Sequence, residues 1–367
     1  MAGLRITNVH VHSFTAAHIP RYYPHPAVWV LKQIPGFLPL AAWFLRLIGQ
    51  HGLADTVARL RQFRDEAYKG TQAQILASVR HQYPPGTRFV VLPMDMAPIG
   101  HGPVAAGIAA QHDELSAMAR ADGLRGLVLP FATLHPDRPG AAEEVARCIE
   151  RLHFRGLKLY PPLGYPPDHP LLMGRIYPML VERDLPVMAH CSRGGIRAKG
   201  LIPARAERYT EPAAWHPVLR AFPTLRVCLA HFGGQQDWED YAANGIDPDD
   251  PAARGRNWQV AIRDMIGSGD WPNLWTDISY TLFRFEENIA FLRLFLEGAD
   301  DRTRRLRERV LFGSDFYMTR QEALSERSVC FRLRNALGEE MFRQIAETNP
   351  EIWLGERPGR PPAGQKL

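Results

Sequence analysis

Two histidines separated by one residue, His10 and His12, close the strand-like run Leu4–Phe14. Side chains on a strand alternate faces, so positions i and i+2 point the same way, about 6–7 Å apart. Two imidazoles on one face at that spacing can grip one metal ion. Later apolar runs end in Lys158, His190, His231 and Asp315. Four imidazoles and a carboxylate are a donor set that suits Zn²⁺ or another borderline divalent ion, with Mn²⁺ also possible. Alone, each residue has a plainer use. A strand histidine can be a hydrogen-bonded core residue, and an Asp after Gly-Ser can cap a helix. Their recurrence at one end of successive strands is what separates a metal site from scattered polar residues.

The elements that must position these groups are legible as alternating patterns. Strand-like runs are Arg5–Phe14, Arg88–Met94, Gly126–Thr133, Gly156–Tyr160, Pro186–His190, Arg226–His231, Leu274–Ser279 and Arg309–Asp315. Most are rich in Val, Leu, Ile and Phe without polar alternation, as expected of strands buried on both faces. Between them lie amphipathic helical patterns at Ala141–Leu152, Leu171–Arg183, Pro212–Ala221, Trp258–Ile266, Glu287–Leu296 and Glu322–Leu337. Eight strand–helix units predict an α/β fold, a closed (β/α)8 TIM barrel whose reactive groups gather at the strand C-termini. The predicted barrel spans 1–355, with a helical lid insertion at 15–87 after the first strand and a loose tail at 356–367. Within the insertion, helices are expected near Leu53–Phe63 and Thr71–His81.

Composition narrows the class. The 367 residues are 46% hydrophobic, enough for a large core, and the net charge of +5 is scattered rather than clustered, which argues against nucleic-acid binding. The four cysteines show no paired spacing, and no signal peptide precedes the first strand, so a cytoplasmic location is expected. The most apolar segment, Ala27–Ile48, has its longest uncharged run at Ile34–Leu45, too short to span a bilayer. It reads as a lid or a subunit contact, and such an insertion favours a homodimer. No transmembrane segment is expected.

The stretches Asn-Val-His10-Val-His12, Gly-Leu-Lys158-Leu-Tyr-Pro, His190, Leu-Ala-His231-Phe-Gly-Gly and Phe-Gly-Ser-Asp315 resemble the amidohydrolase superfamily. Within it they are similar to the amidohydrolase-related (amidohydrolase 2) group of metal-dependent TIM-barrel hydrolases and decarboxylases. The resemblance covers residues 4–355. It implies that His10, His12, His190 and Asp315 ligate a metal, and that His231 is a further ligand or a catalytic acid/base. It also implies that Lys158, if carbamylated, bridges two ions. The alternative for Lys158 is an unmodified ammonium that binds a substrate carboxylate. Arg193 and Arg197, in the loop after His190, are further candidates for an acidic substrate group. Tyr160, Tyr280, His101, His135 and His169 are weaker candidates for the pocket lining.

Three functions are carried forward. The first is a metal-dependent hydrolase that cleaves an amide, lactone or other ester, with one or two divalent ions and Asp315 and His231 as catalytic residues. The second is a metal-dependent non-oxidative decarboxylase or hydratase. The third is a silent barrel used for binding. For either enzyme the expected partner is a small molecule, anionic or partly apolar.

Overall fold

The computed structural model describes residues 4–26, 29, 37–245, 250–279, 286–321 and 325–356. Tyr280, residues 27–28 and 30–36 of the apolar segment, residues 246–249 and the tail from 357 lie outside them. The strands are β1 (Thr7–Val11), β2 (Arg88–Val91), β3 (Val128–Pro130), β4 (Ala132–Thr133), β5 (Leu157–Leu159), β6 (Val187–Ser192), β7 (Val227–Gly233), β8 (Leu274–Asp277) and β9 (Val310–Leu311). All pairings are parallel, in the orders β1-β2-β3 and β4-β5-β6-β7-β8-β9. β3 and β4 are two halves of one predicted strand, divided at Phe131, whose N–H donates to Val91 O at 3.1 Å. On the far side, Val9 N donates to Phe312 O and Asp315 N to His10 O, each at 2.9 Å. Backbone bonds therefore link the last strand to the first, as the eight-unit pattern predicts.

Alternation along the strands produces two cores. Val90 and Leu92, Leu129 and Phe131, Met188, Cys228 and Ala230, Trp275 and Leu311 pack in one cluster with Val9, closed by Trp353 and Leu354. Their neighbours Phe89, Val91, Leu157, Leu159, Val187, Ala189, Val227 and Leu229 belong to a second cluster that packs against the helices. Inner and outer positions alternate with period two, the pattern of a sheet closed on itself.

The seam between first and last strands is held by one buried amide. Asn8 Oδ1 accepts from His10 N at 3.1 Å and Ser314 N at 3.2 Å. Asn8 Nδ2 donates to Tyr83 Oη at 2.9 Å and Ser314 Oγ at 2.8 Å. All four hydrogen-bonding positions of the side chain are used. The same contacts coincide with a shift of register between Asn8 and Val11, a bulge of the kind that re-aims side chains beside a site.

The segment after β1 contains α1 (Phe37–Leu47), α2 (His51–Ala67) and α3 (Gln72–Arg80); α2 and α3 fall where helices were expected, and α1 lies in the apolar segment. Thr71 and Gln74 form a reciprocal cap at the start of α3. α2 leans on the barrel rim, where Phe63 meets Phe14 and Tyr317 at ring separations of 6.1 and 5.4 Å. α1 leaves Leu40, Trp43, Phe44 and Leu47 exposed. No helix among the described residues is long and apolar enough to cross a membrane.

Replacing Asn8 by Ala leaves buried N–H groups of His10 and Ser314 without their partner. Each such loss costs about 1–3 kcal/mol, so Asn8→Ala is expected to lower the thermal midpoint clearly. Gly52→Ala, where an added Cβ meets open space, should leave the midpoint unchanged or slightly raised.

Candidate metal centre

Each proposed donor reaches the mouth by a local device. Lys158 lies between Leu157 and Leu159, which face outward, so alternation turns it inward. His190 shares the inner face of β6 with Met188. His231 is different. Ala230 is an inner residue and Leu229 an outer one, so plain alternation would turn His231 outward. Instead His231 and Phe232 adopt left-handed backbone, φ 70° and 44°. Asp315 does the same at φ 49°. Such conformations cost about 1–3 kcal/mol each and persist where the surroundings impose them. Three of the five described non-glycine residues with positive φ are at this mouth.

The donors converge and are buried. One ligand atom each from His10, His231 and Asp315 lies within 4.8 Å of the others. His12 Nε2 is 3.9 Å from Asp315 Oδ1. His190 Nδ1 faces His231 Nε2 at 3.1 Å. Lys158 Nζ is 3.4 Å from His10 Nε2. All the residues proposed as ligands from the sequence are thus brought to one place, with His231 inside the tightest group.

The donor chemistry fits a divalent cation. His10 Nδ1 lies 2.9 Å from Asp277 Oδ2, and His12 Nδ1 lies 2.8 Å from Leu92 O. A carboxylate and a carbonyl only accept, so each Nδ1 carries the hydrogen and each Nε2 presents a lone pair to the centre. Burial, reinforced by the Lys158 charge, pushes His12 and His190 down to about 3. Burial likewise lowers His10 and His231. The imidazoles are therefore neutral at pH 7, the ligating form. Burial raises Asp315 and lowers Lys158, and the attraction between the two opposes both shifts.

A cavity of about 480 Å³ opens over the donors. Its floor includes His12, Lys158, His190, His231 and Asp315, and its walls include Phe14, Tyr23, Phe63, Tyr160 and Tyr317. Thr56, Arg59, Leu60 and Phe63 come from α2, so the insertion forms part of the wall. Gly195 is required there. A Cβ would lie 2.6 Å from Tyr160 Oη and 3.1 Å from His190 Nε2, and its φ is +81°.

The arginine expectation changes. Arg193 lines the cavity, yet its guanidinium is bound to Asp237 at 2.9 Å, Glu207 at 3.3 Å and the Arg256 carbonyl at 2.5 Å, and lies over the Trp258 ring. Those contacts brace the loop. Arg197 is exposed and is not among the residues lining the cavity. The cation on the cavity wall that the sequence did not single out is Arg59. His135 and His169 bond to Leu163 O and Asp137 instead of reaching the cavity. Asp277 and Ser279 were also missed as site residues. Their i, i+2 spacing at the end of a strand was the available signal.

A second donor group, His112, Glu144 and Cys148, lies outside the barrel. His112 Nε2 accepts from Thr133 N, its Nδ1 meets Glu144, and Glu144 pairs with Arg147. The group anchors β4, whose Thr133 hydroxyl donates to Lys158 O at 2.8 Å.

The amidohydrolase family profile (Amidohydrolase) matches residues 65–355. The chain belongs to that family. Its fold is similar to that of an uncharacterised TIM-barrel protein from Bordetella bronchiseptica, with a TM-score of 0.56 and 17% identity over 96% of this chain and 99% of that one. It is also similar to a 5-carboxyvanillate decarboxylase from Novosphingobium aromaticivorans, a structure with bound manganese and 3-methoxy-4-hydroxy-5-nitrobenzoic acid. There the TM-score is 0.54 with 14% identity, over 96% of this chain and 97% of that one. For the 5-carboxyvanillate decarboxylase from Sphingomonas paucimobilis the TM-score is 0.52 with 13% identity, over 96% and 99%. Among curated proteins none matches the sequence.

If these donors hold a divalent ion, His12→Ala and Asp315→Asn should each lower metal affinity at least about tenfold, since even outer-shell partners are worth 10–100-fold. Elemental analysis after dialysis at limiting zinc reads the loss, and circular dichroism should show the fold retained.

Proposed function

We propose, from membership of this family, that the chain is a metal-dependent hydrolase of a small molecule, acting on an amide, lactone or other ester. The observation that carries the reading is the pair of inward Nε2 lone pairs of His10 and His12, fixed from behind and set beside Asp315. His10, His12, His190, Asp315 and His231 would hold the ion. A bound divalent ion supplies a Lewis acid that polarises a carbonyl and acidifies water. Asp315 accepts the proton of the attacking water and returns it to the leaving group. Burial, which makes its carboxylate a better base, supports that role. His231 Nε2 faces His190 in the donor group, which suits a ligand better than an oxyanion donor. Lys158, as a buried ammonium, faces the developing negative charge or a substrate acid. Phe14, Phe63 and Tyr317 give the cavity an apolar wall.

A second reading, a non-oxidative decarboxylase, is favoured by one observation. Lys158 and Arg59 line a cavity with aromatic walls, where the third cation, Arg193, is held by Asp237 and Glu207. That lining suits a planar acid. Substrate turnover in H₂¹⁸O separates the two. The hydrolase incorporates the label into product, whereas the decarboxylase releases CO₂ without net water uptake.

Chelation should abolish turnover and added Zn²⁺ or Mn²⁺ should restore it. A metal-stripped preparation with full activity would refute both readings. Asp315→Asn is expected to reduce kcat by about 10²–10⁴-fold. The base must be ionised, so wild-type kcat/KM should fall as pH drops through the Asp315 pKa. A bound cation favours the carboxylate and moves that limb to lower pH. The limb should be absent from the residual activity of Asp315→Asn.

A further inference from the structure

Asp277 makes more contacts at this centre than orientation of a single histidine requires. It is fully buried. Its Oδ2 accepts from His10 Nδ1 at 2.9 Å. Its Oδ1 accepts from Ser279 N at 2.8 Å, from His231 N at 3.2 Å and from the Ser279 hydroxyl. Ser279 Oγ in turn lies 2.8 Å from His231 Nδ1 and 3.2 Å from His10 Nδ1.

Counting hydrogens fixes the directions. The Ser279 hydroxyl has one hydrogen, and Asp277 receives it. Ser279 Oγ can then only accept from His231, so His231 Nδ1 carries a hydrogen. The same reasoning gives His10 an Nδ1–H, shared between Asp277 and Ser279. Both imidazoles therefore present bare Nε2 atoms. One faces Lys158 and the other faces His190.

We infer that Asp277 and Ser279 form a tautomer clamp that sets the ligating face of two histidines, His10 directly and His231 through the serine hydroxyl. The two are positioning residues. Alternation along β8 puts Asp277, its last residue, on the inner face, Ser279 follows in the turn beyond it, and Asp277 reaches the backbone of β7 while gripping a side chain of β1. An amide at position 277 cannot replace the carboxylate. Its NH₂ group would have to face at least one donor, and turning it toward His10 favours the tautomer with a hydrogen on Nε2, which blocks ligation. The clamp rests on the reading of this centre as a metal site and is independent of the reaction catalysed there.

The test uses full-length protein with ¹⁵N-labelled histidine. Two-bond ¹H–¹⁵N spectra of the metal-free protein report each tautomer, with His10 and His231 assigned from His10→Gln and His231→Gln spectra. Both should be Nδ1–H forms in the wild type. Asp277→Asn should convert His10 wholly or partly to the Nε2–H form and weaken zinc binding by about 10–100-fold. Ser279→Ala should release the His231 tautomer and weaken zinc binding less. Ser279→Thr, which keeps the hydroxyl, should restore both. If Asp277→Asn does not fold, the Ser279 pair decides. A wild-type His231 with its hydrogen on Nε2, or zinc affinity unchanged in Ser279→Ala, would overturn the clamp. Failure of the hydrolase reading would leave these spectra and affinities as they are.

Discussion

The site depends on closure of the sheet between its first and last strands. Val9 and Asp315 bond to Phe312 and His10 across that seam, and Asn8 occupies it with four hydrogen bonds. Without closure, Asp315 would be some 300 residues of chain away from His10 and His12 with nothing to bring them together. With it, a carboxylate from the last strand stands beside imidazoles from the first. The donors of the intervening strands then complete the ring.

The site also carries backbone strain. Alternation supplies Lys158, His190 and Asp277 at no conformational cost. It does not supply His231 or Asp315, which reach the centre through left-handed backbone. Those turns hold because the surroundings over-determine them. Asp277 takes the His231 N–H, and His10 takes the Asp315 N–H. The groups that hold the bent backbone are thus the same groups that orient the candidate donors. Removal of either should disturb strand geometry and donor geometry together.

The cavity above combines rim and insertion. Phe14 and Tyr317 stack at 4.4 Å and an angle of 5°, and Phe63 from α2 leans on the pair. That aromatic contact seats α2 over the donors and brings Arg59 to the wall. An insertion held by side-chain packing can differ in sequence and length without altering the strand ends. The strand ends thus supply the donor groups, and the insertion supplies part of the cavity wall.

The order of strands and helices, and which polar residues end the strands, were legible in the sequence, because both follow local rules. A period of two, apolar runs without alternation, and polar residues at the ends of those runs depend only on near neighbours along the chain. Two helices of the insertion, α2 and α3, were legible for the same reason, whereas α1 lies in the apolar segment whose sequence suggested only a lid or subunit contact. The tertiary structure alone decided what each group does with its neighbours. Arg193 looked available from its loop, yet Asp237, Glu207 and the Arg256 carbonyl hold it. Asp277 lay unremarked inside a predicted strand, yet it holds His10 from a position 267 residues later in the chain. Hydrogen-bond partners so remote are set by how strands pack in space, and no spacing along the chain encodes them.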